Sequence, residues 1–189
     1  MAKFVGFAAL CLLLSVSVEV VTATCNQGDS ISLEYCANEF PLSFSAFSTW
    51  VDGTDCCGWK GVTCDGSGNV VDIYISIPDP NSPYPGGQPY DSGTGFTTLP
   101  NLRNVTMKNV AFNGQMPASW ATLAALRALR LPSCNIVGSV PTAFCGMTEI
   151  EEIDLSDNLL TGPLPDCFQT PFTFFSKLTF FNISGNNFS

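Results

Sequence analysis

No histidine occurs in the 189-residue chain, which removes the commonest general base and the commonest metal ligand at neutral pH. Cations are scarce as well. Only 7 Lys and Arg stand against 16 Asp and Glu, for a net charge of −9. That balance argues against nucleic acid and anionic membrane as partners, since both are held through basic patches. Long apolar runs are missing after the N-terminus. The one that exists, Phe4 to Val18, stops at Glu19, short of the about 20 residues that span a bilayer.

That run follows Lys3 and ends in the small residues of Val21-Thr22-Ala23, the layout of a secretory signal peptide over residues 1–23. The mature chain is then expected outside the cell, extracellular or in the cell wall, with no membrane insertion once the leader is removed. Cleavage takes one base and one acid, Lys3 and Glu19, so the net charge does not change. It also takes Cys11. Eight cysteines stay behind in an oxidising compartment: Cys25, Cys36, Cys56, Cys57, Cys64, Cys134, Cys145 and Cys167. Bridges are favoured over metal ligation, although eight cysteines allow about 105 complete pairings. Cys56 and Cys57, being neighbours, each need a partner elsewhere, because one peptide link holds them closer than ordinary disulfide geometry wants. No metal and no cofactor is expected.

About 166 residues suffice for one domain with its own core. Its periodicity lies in the second half. Apolar residues at Leu99, Leu102, Val105, Met107 and Phe112, then Gly114 and Pro117, recur 24 residues on from Leu123 and again from Met147. A fourth copy starts at Phe175 after four extra residues. Self-similarity at this period, with the pattern LxxLxxLxLxxNxLxGxxP, is the signature of a leucine-rich repeat solenoid. Each coil supplies one short strand whose alternate side chains point inward, and one coil cannot bury its apolar side alone, so neighbours stack. The twelfth position is a turn whose side chain satisfies backbone groups out of reach of any ladder. Asn158 and Asn186 fill it, with Cys134 and Val110 in the earlier coils. Valine cannot hydrogen-bond, which predicts a looser first turn. Gly114, Gly138 and Gly162 are expected to adopt unusual φ, and Pro117, Pro141 and Pro165 to fix the return path.

The GxxP endings, together with Trp50, Asp55-Cys56-Cys57, Trp59, Gly61-Val62 and Cys64, resemble the plant-type extracellular leucine-rich repeat proteins: receptor-like proteins, receptor kinase ectodomains and polygalacturonase inhibitors. The resemblance covers Trp50 to the C-terminus, broken by one insert. It implies an α/β repeat solenoid, a short right-handed superhelix with a parallel concave sheet and a disulfide-bonded N-terminal cap. It also implies the pairings Cys25 with Cys56 and Cys57 with Cys64. The domain boundaries that follow are a cap over 24–66, a degenerate first repeat with a Pro- and Gly-rich insert over 67–98, and repeats over 99–189 starting at 99, 123, 147 and 175, without a C-terminal cap. Either the gene is truncated there, or the open end stacks on another molecule in self-association.

Ile31, Leu33, Phe40, Leu42, Phe44, Phe47 and Trp50 read as apolar cap residues, with Asp29 or Ser30 capping a short helix before Pro41. Val70, Ile73 and Ile75 fit a degenerate opening coil. Pro78 to Thr98 reads as an irregular surface loop, in which Tyr84 and Tyr90 are candidate contact residues. Cys145 and Cys167 fall on adjacent coils, and strand spacing near about 4.8 Å keeps them within bridging range. A bridge and two thiols are both open there, and Cys36 and Cys134 are left over.

The repeat register names the outward side chains. The eighth position is Tyr74, Thr106, Arg130, Asp154 and Asn182, and the sixth is Asp72, Asn104, Ala128, Glu152 and Phe180. The candidate ligand-binding set is Tyr74, Thr106, Lys108, Arg130, Glu152 and Asp154. Arg130 is expected beside Asp154 and Arg127 beside Glu151, as surface ion pairs or as a mixed-charge docking strip. Glu152 and Asp154 place two carboxylates on one strand, a pattern that glycoside hydrolysis also uses. On an open strand, with no enclosing pocket to raise one acid's pKa, they do not read as catalytic. Three sequons, at Asn104, Asn182 and Asn187, suit a secreted glycoprotein. A glycan on Asn182 would obstruct the C-terminal end of the strip. The functional expectation is a non-catalytic recognition module for a protein or polysaccharide ligand, plausibly in defence or signalling. Inhibition of a secreted wall-degrading enzyme such as polygalacturonase, and a truncated receptor-like ectodomain, are the alternatives.

Overall fold

The computed structural model describes residues 24–39, 48–77, 94–169 and 175–189. The leader, Phe40, Leu42, Phe44 and Phe47 of the cap, and most of the insert with Tyr84 and Tyr90 lie outside these residues. The elements in chain order are α1 (Gln27–Glu39), β1 (Val62–Cys64), β2 (Val70–Ser76), α2 (Thr94–Thr97), β3 (Asn104–Lys108), β4 (Ala128–Arg130), β5 (Val137–Gly138), β6 (Glu152–Asp154), β7 (Leu159–Gly162), α3 (Asp166–Gln169), β8 (Phe180–Asn182) and β9 (Asn187–Phe188).

The main sheet runs β1-β2-β3-β4-β6-β8. β1 is antiparallel to β2, and every later neighbour is parallel. Parallel pairing follows from the repeat: a coil that returns to its starting height after 24 residues must lay the next strand in the same direction. The register keeps that offset, Val105 facing Leu129 and Leu129 facing Ile153, and the four extra residues before the last coil set Ile153 opposite Phe181. The opening coil is real, with Ile73 opposite Val105 and Ile75 opposite Met107.

Inward side chains form one continuous core. Leu99, Leu102, Leu126, Leu129, Leu131, Ile136, Ile150, Leu155 and Leu160 are buried, and burial of a leucine or isoleucine stabilises by about 1.5–3 kcal/mol. On the back of each coil an aromatic wedge fills the wider arc. Trp120 meets Phe96 and Phe112 edge-on at 6.1 and 6.0 Å, and Phe168 packs on Phe175 at 4.8 Å. Trp120 rides on the 3-10 turn Ala118–Thr122 and Phe144 on Thr142–Gly146, which begin after Pro117 and Pro141, whereas Phe168 rides on α3. The end of the insert differs from an irregular loop: α2 delivers Phe96 into the core.

The twelfth-position side chains bond as the repeat requires. Asn158 is buried; its Oδ1 accepts from the Cys134 and Ile136 N–H groups, and its Nδ2 donates to the carbonyls of Leu131, Leu155 and Ser156. One coil later Asn186 Oδ1 accepts from the Leu160 N–H, and its Nδ2 donates to the carbonyls of Leu155, Ile183 and Ser184. Cys134 substitutes more weakly, its thiol donating to Met107 O at 3.1 Å. Gly138 and Gly162 have positive φ, but in the first coil Gly114 does not, and its neighbour Asn113 is left-handed instead, at φ 52°. A short second sheet, β5-β7-β9, which the repeat pattern did not announce, lies beyond the twelfth-position turns.

The cap combines the β1–β2 hairpin with α1, which packs on α2 and on the 3-10 turn Cys56–Gly58. Its first turn is capped by Asn26, whose Oδ1 accepts from the Gly28 N–H at 2.9 Å, instead of by Asp29 or Ser30. Asp29 is buried, and its Oδ2 accepts from the Val70 N–H at 2.8 Å, tying helix to strand. Leu33, Cys36 and Ala37 face the core, whereas Ile31, expected inside, is 59% exposed. Ile31, Leu33 and Tyr35 alternate two apart, and a helix cannot bury residues at that spacing on one face. Gly61 is required where it stands: at φ +81° it accepts from the Tyr74 N–H, and a Cβ there would lie 2.0 Å from Tyr74 O.

Candidate recognition surface

The outward residues of the main sheet stand in file. Tyr74, Thr106, Arg130, Asp154 and Asn182 face one another strand by strand, and Asp72, Asn104, Ala128, Glu152 and Phe180 form the row beside them. Lys108 pairs with Ser76 one step further along. The register thus brings together all six candidate binding residues.

Their bonding differs from the register in one respect. Arg130 lies opposite Asp154 in the ladder, yet its guanidinium engages Glu152, with Nε donating to Oε2 at 2.8 Å and Nη2 reaching the same oxygen, while Nη1 donates to Thr106 Oγ1 at 3.4 Å. Asp154 is already occupied, its Oδ1 accepting from the N–H and hydroxyl of Ser156 at 3.0 and 2.6 Å. Asn182 repeats this turn with Ser184. Arg127 does meet Glu151, at 2.8 Å. Lys177 pairs with Glu149 and holds its carboxyl below the ordinary range.

The strip therefore has a self-neutralised centre and two exposed aromatic ends. Tyr74 is 59% and Phe180 45% exposed. Phe180 was not among the candidates; its signal was its place in the sixth-position row, where the other coils carry Asp, Asn, Ala and Glu. Lys108 is exposed and has no ion pair among the described residues.

The sequon residues are unlike one another. Asn104 is half-buried and donates from Nδ2 to Asp72, Asn182 is half-buried and bent onto Ser184, and Asn187 is exposed on β9. A cavity of about 330 Å³ between the segments after β5 and β7, lined by Ser139, Val140, Pro163 and Asp166 among others, contains none of the candidate residues.

Among the described residues three bridges are formed. Cys25–Cys56 and Cys57–Cys64 have Cα separations of 5.4 and 5.5 Å, and Cys145–Cys167 one of 5.7 Å. Cys36 and Cys134 are buried outside these bridges. Burial pushes the Cys134 thiol up to about 12, against the smaller opposing pull of the Val110 and Asn109 N–H groups. The sulfurs of Cys25, Cys56 and Cys57 cluster within 4.8 Å, but all three are committed to bridges and offer no cation a thiolate.

A parallel ladder of repeats behind a cystine-bonded hairpin cap defines a leucine-rich repeat solenoid. The family described as Leucine rich repeat N-terminal domain matches residues 37–65, and Leucine Rich Repeat matches residues 149–170. Receptor-like protein 49 of Arabidopsis thaliana is 29% identical over 172 residues, 83% of this chain and 19% of that protein. Receptor-like protein 7 of the same plant is 33% identical over 137 residues, 70% of this chain and 13% of that protein. Among solved structures, a plant ice-binding protein superposes with a TM-score of 0.71 at 26% identity, over 87% of this chain and half of that one. The BIR2 ectodomain from Arabidopsis thaliana shares the fold, with a TM-score of 0.68 at 18% identity over 88% of this chain and 83% of that one. The chain carries the leucine-rich repeat fold and is similar to plant receptor-like proteins, and it spans less than a fifth of the length of the two curated relatives. Among the described residues no helix is long and apolar enough to cross a membrane.

Proposed function

We propose that the chain is a non-catalytic recognition module that holds a protein partner on the concave strip, outside the cell, in defence or signalling. The observation that carries this reading is the file from Tyr74 to Asn182, a regular row of outward side chains on a rigid parallel sheet. Similarity to proteins named as receptor-like supports it. Glu152 and Asp154 are engaged with Arg130 and Ser156 on an open face, an arrangement suited to docking.

Contacts concentrate at the cap end, on Tyr74, Thr106, Lys108 and Arg130. Tyr74 is a large exposed ring next to an exposed cation, and aromatic and arginine side chains dominate interface energetics. A glycan on Asn182 would cover the opposite end. Intact glycopeptide mass spectrometry that finds Asn182 bare removes this polarity.

The test is binding of the secreted chain to a panel of plant receptor ectodomains and secreted peptides, run beside polygalacturonase inhibition assays. Tyr74→Ala and Arg130→Glu are expected to weaken the bound member at least about tenfold, with melting temperatures within about 2–4 °C of wild type. Both variants binding like wild type would refute the concave strip. Inhibition of a polygalacturonase, with no member of the protein panel bound, would move the reading to an inhibitor of wall-degrading enzymes.

A further inference from the structure

The cap places one disulfide within striking distance of another. Cys57 Sγ lies within 4.8 Å of both sulfurs of the Cys25–Cys56 bridge, while Cys64 Sγ is outside that cluster. Cys57, Cys64 and Cys25 are half-exposed, and Cys56 is fully buried. A single carboxylate oxygen holds the arrangement: Asp55 Oδ1 accepts from the Cys25 N–H at 2.9 Å and from the Cys57 N–H at 3.0 Å. The residue that would attack and the residue that would be attacked thus hang from the same atom.

We propose that the two cap bridges form an exchange relay, in which a small extracellular monothiol opens Cys57–Cys64 and the released Cys57 rearranges the buried bridge. The thiolate of the monothiol attacks Cys64 Sγ, forming a mixed disulfide there and expelling Cys57 as thiolate. Cys57 attacks Cys25 Sγ, forming Cys25–Cys57 and expelling Cys56. Cys56 attacks Cys64 Sγ, forming Cys56–Cys64 and returning the monothiol. Two disulfides enter and two leave, so the step is redox-neutral and the monothiol is a catalyst.

Exchange changes what the cap holds. Cys56 is the buried residue of the 3-10 turn Cys56–Gly58, and transferring its bond to Cys57 turns that segment by one residue. The stack of Trp50 on Trp59, at 5.5 Å, sits directly after it. The thiol state of the medium would therefore reach the seating of α1 without any change in the repeats. Asp55 sets the rate, because a carboxylate beside Cys57 disfavours the thiolate that attacks.

The decisive experiment uses the full secreted chain with Cys64→Ser, which leaves Cys57 as a permanent thiol. After incubation at pH 8 without added thiol, acid quench and low-pH digestion, electron-transfer fragmentation separates Cys56 from Cys57. Cys25–Cys57 is expected alongside Cys25–Cys56, at no less than about a tenth of it. Cys25–Cys56 alone, with Cys57 fully alkylated, overturns the relay. Should that variant not fold, wild type in reduced glutathione decides: Cys25–Cys56 must open faster than in the Cys57→Ser, Cys64→Ser double variant, and equal or slower opening overturns the proposal. Asp55→Asn, which keeps the acceptor and removes the charge, is expected to speed exchange several-fold.

Discussion

Asn158 and Cys134 occupy the same place in successive coils and show what one side chain is worth there. Asn158 serves two N–H groups and three carbonyls. Asn158→Ala strands them in the core, and each buried unsatisfied group costs about 1–3 kcal/mol. A loss of about 3 kcal/mol is expected in urea denaturation. Cys134→Asn runs the other way. The new amide would replace a thiol that reaches Met107 O and Pro132 O only weakly, and a gain of about 1 kcal/mol, or about 2–4 °C in melting temperature, is expected. The same substitution flattens the alkaline limb of stability. With the folded thiol pushed up from its ordinary value to about 12, the unfolded chain ionises first, so wild type loses stability as pH rises from 9 toward 12.

Among the elements, the β1–β2 hairpin has its own pH signature. Asp65 at its turn is held below the ordinary carboxylate value chiefly by the Asn69 side chain, then by the Asn69 and Ser67 N–H groups. A depressed folded pKa stabilises above the unfolded value and is lost as pH falls through the folded one. Asp65→Ala should therefore melt below wild type at pH 6, and the charge-dependent part of that gap should begin to shrink as pH falls below about 4 and disappear only below the folded value. Calorimetry across that range checks it. The strands illustrate what a sequence can carry. Because inward and outward side chains alternate, a 24-residue repeat determines which residues share a row, and Thr106, Arg130 and Asp154 were legible from counting alone. The partner of Arg130 was not, since a long guanidinium can choose between Glu152 and Asp154. The deciding signal was present in Asp154-Leu155-Ser156, whose serine takes the aspartate for a local turn. The second sheet was illegible for another reason: β5 and β9 are two residues each, too short for alternation to register. The bridges Cys25–Cys56 and Cys57–Cys64 came from family likeness, because parity could not select them. Ile31 was misplaced by counting apolar residues without asking whether their spacing suited a helix.

For the molecule as a whole, net charge and local pairing point to different partners. The chain carries −9 overall, yet the strip's Arg127 and Arg130 are answered by Glu151 and Glu152 on the next coil. Exposed pairs of this sort contribute under about 1 kcal/mol. Arg130→Ala is therefore expected to leave stability nearly unchanged in the same urea titration, which makes it a clean probe of binding. Association with a basic partner should slow steeply between about 50 and 500 mM salt, since surface charges are screened beyond about 10 Å at 0.1 M; a flat stopped-flow rate would show that the overall field does not steer it.

The constant offset between strands also shapes how such a chain can change over generations. Duplicating the stretch from Leu123 to Gly146 would set equivalent positions opposite one another at the new junction, because each coil touches only the coil before and the coil after. The step to β8, four residues longer yet still in row, shows that slack can be taken up away from the strands. Lineages can therefore lengthen this scaffold in whole turns while keeping its outward rows in file.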